Sequence, residues 1–134
     1  MSTPPSIERK RGLAKFIAGF GFAFSGLWFA LRTQVNMQVH IALGILAVVL
    51  GIVLRISPVE FAIISLTIGI VLILEMLNTV IELCVDLASP EYHPLAKRAK
   101  DAAAGAVLLS AILSIVVALF IFGPHLWALF IHRS

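Results

Sequence analysis

The sequence predicts an all-α membrane protein in which an N-terminal amphipathic helix lies at the membrane interface and three further helices cross the membrane. Three observations carry this prediction. Hydrophobic residues make up 60% of the 134 positions, and the mean hydropathy of +1.06 describes a single integral membrane domain. Three apolar stretches are long enough to span a bilayer. The positions of the basic residues separate the surface helix from the spans.

The N-terminal segment, residues 6–34, is the ambiguous element. Residues 12–31 hold about enough apolar residues to cross a membrane, yet their apolar side chains also recur at helical spacing. If the segment lies on the surface, eight of the ten basic residues share one side of the membrane. The positive-inside rule therefore favours an interfacial helix and a cytoplasmic N-terminus. The eight residues are Arg9, Lys10, Arg11, Lys15, Arg32, Lys97, Arg98 and Lys100, and the two on the opposite side are Arg55 and Arg133.

Hydropathy predicts the three spans that follow. They cover residues 39–56, 59–86 and 100–122. The last of them carries a charge only at its first two positions, and the other two are mostly apolar.

The connections between the spans are marked by turn-forming residues. Ser57 and Pro58 predict a tight turn after the first span. Residues 87–100, which are rich in proline and basic side chains, predict a solvated cytoplasmic loop. Gly123 and Pro124 are predicted to end the last helix and to leave a short tail.

Other features of the sequence exclude some classes of protein. Pro4, Pro5 and the charged residues 8–11 precede an apolar stretch that runs into further spans, so we expect no cleaved secretory signal. A single cysteine, Cys84, excludes an intramolecular disulfide. The basic residues lie beside apolar segments rather than in an aromatic groove, so nucleic acid is not an expected partner.

A polar stripe on the second predicted span is the best guide to function. Glu75, Asn78, Thr79, Glu82 and Asp86 fall within a sector of roughly 100° on one helix. Ionisable groups inside a membrane segment are costly and mark ion, proton or substrate sites. Glu75 is placed roughly 20 Å from the outer edge, whereas Glu82 and Asp86 approach the cytosol. In the simplest alternative, these carboxylates only pair with lysine or arginine of neighbouring helices.

Four short motifs resemble the signature of the small prokaryotic diacylglycerol kinase and undecaprenol kinase family. They are EMLNTVIE at 75–82, VD at 85–86, EYH at 91–93 and AKD at 99–101. The resemblance covers almost the whole chain. It implies that residues 1–134 form one lipid kinase domain, assembled as a homotrimer in the bacterial inner membrane among its lipids. Such an enzyme transfers the γ-phosphoryl group of ATP, with Mg²⁺, to the hydroxyl of diacylglycerol or undecaprenol.

The resemblance also implies roles for individual residues. Glu75 corresponds to the general base beside the lipid hydroxyl, and Glu82 to a carboxylate that holds Mg²⁺ with ATP. Asn78 would orient these two groups, and Asp86 would be a supporting polar residue. The residues expected around the nucleotide are Lys15, Phe22, Gln34, Glu82, Glu91, Tyr92, His93, Lys100 and Asp101.

One position departs from the family pattern. Gln34 stands where the family usually has a second metal-binding glutamate, and its amide oxygen is an uncharged, weaker ligand. A structural or regulatory membrane protein that has lost the chemistry is therefore one alternative, and a small proton-coupled channel that uses the acidic stripe is another. Asn36 and His40 resemble the undecaprenol kinase branch, although His40 is also explained as an interfacial polar residue.

Overall fold

The computed structural model describes residues 5–131, and it describes the side chains of residues 12–129 and 131. Within this part the chain is four helices joined by short connections, which confirms the all-α prediction. The helices are α1 (Pro5–Thr33), α2 (Val35–Leu54), α3 (Pro58–Ala88) and α4 (Pro94–Ile131). Each is long and apolar enough to cross a membrane.

The first helix forms one compact unit, and α2, α3 and α4 form another. The bounds of α1 agree with the predicted segment 6–34 to within one residue. Near its C-terminal end, the guanidinium of Arg32 lies 4.5 Å from the centre of the Trp28 ring, in cation–π geometry. The apolar window Gly12–Thr33 also has the length of a span. The interfacial position of α1 therefore stays a prediction.

Part of the charge pattern behind the predicted orientation falls outside the described residues. The side chains of Arg9, Lys10 and Arg11 are not described, and neither is any part of Arg133 or of the N-terminal Met1. The cytoplasmic position of the N-terminus accordingly stays a prediction from the sequence.

The turn between α2 and α3 forms where the sequence predicted it. Arg55 ends α2 in the left-handed conformation, at φ 53°. Ser57 then caps α3, because its hydroxyl accepts a hydrogen bond from the Glu60 N–H at 3.3 Å and the Glu60 carboxylate accepts one from the Ser57 N–H at 2.7 Å. Pro58 occupies the first turn of α3, where a backbone N–H would have no intrahelical acceptor, so its absence costs no hydrogen bond. These contacts set α2 and α3 side by side in opposite directions.

The long helix α3 packs against both α2 and α4. Near the α2–α3 turn, the core is a cluster of Ile56, Ile64, Ile121 and Phe122. Further along α2, Gly44 is buried, and a Cβ atom at this position would lie 3.0 Å from Ile68 Cγ2. The missing side chain lets α2 and α3 approach closely, as small residues do at helix interfaces in membranes.

The start of α4 corrects the predicted loop at 87–100. The helix begins at Pro94 rather than at Lys100, so that residues 89–93 alone connect α3 to α4. Proline suits the first helical turn, where its fixed φ favours helix and its N–H is not needed. Lys97, Lys100 and Asp101 therefore lie on a helix, and Asp101 is two turns inside it rather than at its start.

The prediction that Gly123 and Pro124 end the last helix is wrong. Pro124 lies inside α4, which continues to Ile131. Proline removes one backbone donor from a helix, but the apolar residues around it still favour helical backbone. In the same turn, the ring Nδ1 of His125 lies 2.8 Å from the Ile121 carbonyl oxygen, so this carbonyl has a side-chain hydrogen-bond partner.

The close approach at Gly44 leads to a testable expectation. We expect Gly44→Ala to lower the free energy of unfolding in detergent by about 1–3 kcal/mol, and with it the melting temperature, because the new methyl group overpacks against Ile68. Gly69→Ala on α3 is the matched control, since a Cβ atom there meets nothing within 4 Å. Equal melting temperatures for the two variants would contradict this account of the α2–α3 contact.

Candidate active site

The polar stripe of α3 turns its first residues into the protein. Glu75, Asn78 and Thr79 are 1%, 7% and 2% exposed, respectively, although most of the large apolar side chains of the chain are exposed. The Thr79 hydroxyl donates a hydrogen bond to the Glu75 carbonyl oxygen at 3.0 Å, within the helix. Glu82 is half-buried, and Asp86 is exposed. The stripe therefore runs from a buried carboxylate to a solvated one over about three helical turns.

Two buried oxygen atoms of this stripe have no hydrogen-bond partner among the described residues. They are Glu75 Oε1 and Asn78 Oδ1. The amide Nδ2 of Asn78 donates to Glu82 Oε1 at 3.0 Å, one turn further along α3. An unpaired buried acceptor costs about 1–3 kcal/mol. Both oxygen atoms are acceptors, so each can accept a hydrogen bond from a substrate or from a side chain that moves closer.

His40 of α2 lies beside the buried carboxylate. Its Nε2 atom is 3.5 Å from Glu75 Oε1, which is an ion-pair distance but longer than a good hydrogen bond. The sequence interpretation, which took His40 for an interfacial polar residue, missed this contact. The available signal was register: His40 and Glu75 lie at similar distances along the chain from the turn at residues 55–57, so two antiparallel helices bring them to similar depth.

A second polar group lies where α3 ends and α4 begins. Lys100 Nζ is 2.5 Å from Asp86 Oδ1, and Lys97 Nζ is 2.6 Å from Asp101 Oδ2. Both pairs are largely exposed, so each contributes at most about 1 kcal/mol to stability. For Asp86, the simple pairing that the sequence left open as an alternative is what the structure contains.

The connection between α3 and α4 borders a shallow cavity of about 280 Å³. Its wall includes five of the residues predicted to contact the nucleotide. Within the connection, the Ser89 hydroxyl donates to the Glu91 carbonyl oxygen at 3.0 Å, and the Leu95 N–H donates to His93 Nδ1 at 3.2 Å. These bonds order the loop. The five predicted residues are Glu91, Tyr92, His93, Lys100 and Asp101.

Three other predicted nucleotide residues lie elsewhere. Gln34 precedes α2 as its N-cap residue and is half-buried, and its side chain makes no capping hydrogen bond. Gln34 is six residues before His40, and Glu82 is seven residues after Glu75. Because α2 and α3 run in opposite directions, Gln34 and Glu82 both lie about 10 Å along the bundle from the His40–Glu75 contact. Lys15 and Phe22 belong to the separate unit α1, and their part in the site stays a prediction.

The acidic residues do not form a preformed metal cage. Among the described side chains, those of residues 12–129 and 131, no group of three or more His, Cys, Asp or Glu residues is arranged to hold a metal ion. Mg²⁺ needs less than such a cage, because it commonly takes one or two carboxylates together with waters and substrate phosphates. The half-buried Glu82, whose Oε1 already accepts the Asn78 amide, fits this kind of site.

Comparison with known proteins shows which family and which relatives this chain resembles. Residues 21–122 match the family model described as prokaryotic diacylglycerol kinase. The chain is 43% identical to an undecaprenol kinase of Bacillus subtilis, over 90% of its own length and 98% of the relative's. It is 39% identical to a diacylglycerol kinase of Synechocystis, over 86% of its own length and 66% of that protein. A diacylglycerol kinase of Escherichia coli K12 is 29% identical, over 85% of this chain and 93% of its own.

Proposed function

The chain belongs to the prokaryotic diacylglycerol kinase family and is a membrane-embedded lipid kinase, and we propose that it transfers the γ-phosphoryl group of ATP to undecaprenol. Undecaprenol is preferred over diacylglycerol because the undecaprenol kinase relative is 43% identical, against 39% and 29% for the two diacylglycerol kinase relatives. Asn36 and His40, which resemble that branch, agree with this choice. The relatives are named as kinases, and nothing favours the regulatory protein or the proton-coupled channel.

The buried carboxylate of Glu75, whose Oε1 makes no hydrogen bond within the described chain, is the observation that carries the proposal. In this mechanism the acceptor hydroxyl donates its hydrogen bond to the Glu75 carboxylate. Glu75 takes the proton as the hydroxyl oxygen bonds to the γ-phosphorus, and the bond from that phosphorus to the β,γ-bridging oxygen breaks, so that ADP leaves. The low exposure of the site keeps water from competing as the acceptor.

Asn78 and Glu82 would connect this base to the nucleotide. Asn78 holds Glu82 through its amide Nδ2 and leaves its carbonyl oxygen for a second donor. We infer that Glu82 is the carboxylate that holds Mg²⁺, and that Gln34, at a similar level of the bundle, is an uncharged neighbour. A bound Mg²⁺ ion supplies charge neutralisation on the phosphates. Lys100 and Asp101, on the wall of the cavity near the α3–α4 connection, are proposed nucleotide contacts.

We also propose the cellular setting and the assembly. The resemblance supports a homotrimer in the inner membrane, with a cytoplasmic N-terminus and α1 at the interface. The basic residues Lys97, Arg98 and Lys100 at the start of α4 suit the cytoplasmic side, where ATP is available. A mass of three 14.5 kDa chains in detergent, measured by light scattering with the detergent subtracted, tests the trimer.

Purified protein with radiolabelled ATP, Mg²⁺ and a panel of lipid alcohols tests the function. We expect phosphate transfer to undecaprenol at higher kcat/KM than to diacylglycerol. Glu75→Gln should bind Mg-ATP like the parent but lose transfer by at least about 100-fold, because the proton acceptor is removed and the cation site is kept. Near-parental turnover of this variant would show that Glu75 is not the base.

The proposed role of Glu82 leads to a different expectation, in which nucleotide binding and turnover fall together. We expect Glu82→Gln to weaken Mg-ATP binding as well as turnover, because a neutral amide replaces the anionic ligand. Calorimetry in micelles measures the affinity, and Glu60→Gln is the matched control, since that carboxylate lies at the opposite end of α3 and glutamine can also cap the helix there. Equal nucleotide affinity in parent and Glu82→Gln would remove Glu82 from the metal site.

Gln34 permits a gain-of-function experiment. If Gln34 lies beside the cation, Gln34→Glu adds an anionic ligand and lowers the Mg²⁺ concentration needed for half-maximal activity. A purely structural Gln34 would behave differently, because an unpaired carboxylate at the membrane margin destabilises the protein without changing the metal response. Mg²⁺ titrations of activity, with thermal unfolding of both proteins, separate the two cases. An unchanged Mg²⁺ curve with lower stability would overturn the assignment.

A further inference from the structure

The contact between His40 and Glu75 joins two helices at the most buried ionisable group of the described chain. The Glu75 side chain is 2% exposed and the His40 side chain 19% exposed. Nε2 of the imidazole and Oε1 of the carboxylate are 3.5 Å apart, which a small side-chain rotation reduces to hydrogen-bond distance. Hydrogen bonds at catalytic groups are often long before the substrates bind, and they shorten in the substrate complex.

The other polar side chains near Glu75 are committed to different acceptors. The Thr79 hydroxyl donates to the Glu75 main-chain carbonyl, and the Asn78 amide donates to Glu82. Glu75 Oε1 has no hydrogen-bond partner. Among the described side chains with a contact to this carboxylate, His40 is accordingly the donor that remains for it.

We propose that His40 is a positioning residue for the phosphoryl transfer, whose Nε2–H bonds to Glu75 Oε1 and fixes the plane of the carboxylate towards the acceptor hydroxyl. The inference rests on the proposed role of Glu75 as the base. A glutamate side chain has three rotatable bonds, and holding it in one orientation costs conformational entropy that a fixed imidazole donor offsets. The second carboxylate oxygen is then left to receive the proton of the hydroxyl.

A competing account is that His40 only lines a groove. The imidazole borders an apolar groove of about 200 Å³ between α2, α3 and α4, whose wall also includes Leu43, Thr67 and Ser114. A residue that acts only as a wall for a lipid chain would alter the KM for the lipid. A residue that orients the base would alter kcat, because ground-state binding is unchanged and the geometry of the reacting groups is lost.

The test compares His40→Leu with His40→Gln in mixed micelles that contain undecaprenol and Mg-ATP. Leucine fills space without a donor, whereas the glutamine Nε2 is an N–H donor at similar reach. We expect His40→Leu to lower kcat by about 10- to 100-fold with little change in either KM, and we expect His40→Gln to recover most of that loss. A loss confined to the lipid KM, or no rescue by glutamine in a protein that melts like the parent, would overturn the proposal.

Thr67→Val is the matched control. It removes a polar group from the same groove, where the Thr67 hydroxyl donates to the Ile63 carbonyl oxygen, far along α3 from Glu75. We expect it to keep the parental kcat. An equal kcat loss in Thr67→Val and His40→Leu would assign the effect to the groove, and it would count against a positioning role.

A measurement that needs no activity separates this inference from the proposed function. In protein labelled with ¹⁵N-histidine, the ring signals of His40, identified by their absence in His40→Gln, should shift in Glu75→Gln. If the His40 signals shift in Glu75→Gln but the parent protein transfers no phosphate, the His40–Glu75 contact stands and the lipid kinase mechanism is overturned. If the parent protein transfers phosphate normally, the His40 signals do not shift in Glu75→Gln, and His40→Leu keeps the parental kcat, the positioning role is overturned and the proposed function stands.

Discussion

A carboxylate that an apolar helix bundle hides from water is expensive, and the arrangement of α2 and α3 follows from the need to accommodate it. Glu75 is such a group, and His40 approaches it from the neighbouring helix. That approach depends on a position without a side chain. Gly44, one turn along α2 from His40, lets the helix axes come close, so the same packing that stabilises the bundle also brings the imidazole to the acid.

Along α3 the acidic stripe changes its surroundings step by step. Glu75 is buried, Glu82 is half-buried and held by Asn78, and Asp86 is exposed and paired with Lys100. One helix therefore carries acidic groups from an apolar environment to a solvated one within about 17 Å. A phosphoryl transfer between a lipid alcohol and a soluble nucleotide needs both environments on one rigid support.

Sequence reasoning found the parts of this arrangement that depend on local rules. The helical period placed the stripe on one face of α3, and the Ser57–Pro58 pair marked the start of that helix. Hydropathy failed at both ends of α4, because it detects where an apolar stretch ends rather than where hydrogen-bonded backbone ends. The polar first turns after Pro94 and the turns beyond Pro124 are helical. The His40–Glu75 contact becomes visible only when both helices are counted outward from the turn at residues 55–57, and neither composition nor hydropathy makes that comparison.

The burial of Glu75 also has a consequence for the turnover cycle. Phosphorylation of a neutral alcohol creates a headgroup with a charge of about −1.5 to −2. Once Glu75 has released the proton that it took from the alcohol, such a headgroup beside the buried carboxylate would experience a like-charge repulsion that the neutral alcohol did not. The basic side chains of Lys97, Arg98 and Lys100 lie in the first two turns of α4, where a product that leaves on the proposed cytoplasmic side would meet them. In the proposed mechanism this repulsion favours release of the phosphorylated lipid, and we expect inhibition by accumulated product to be weak.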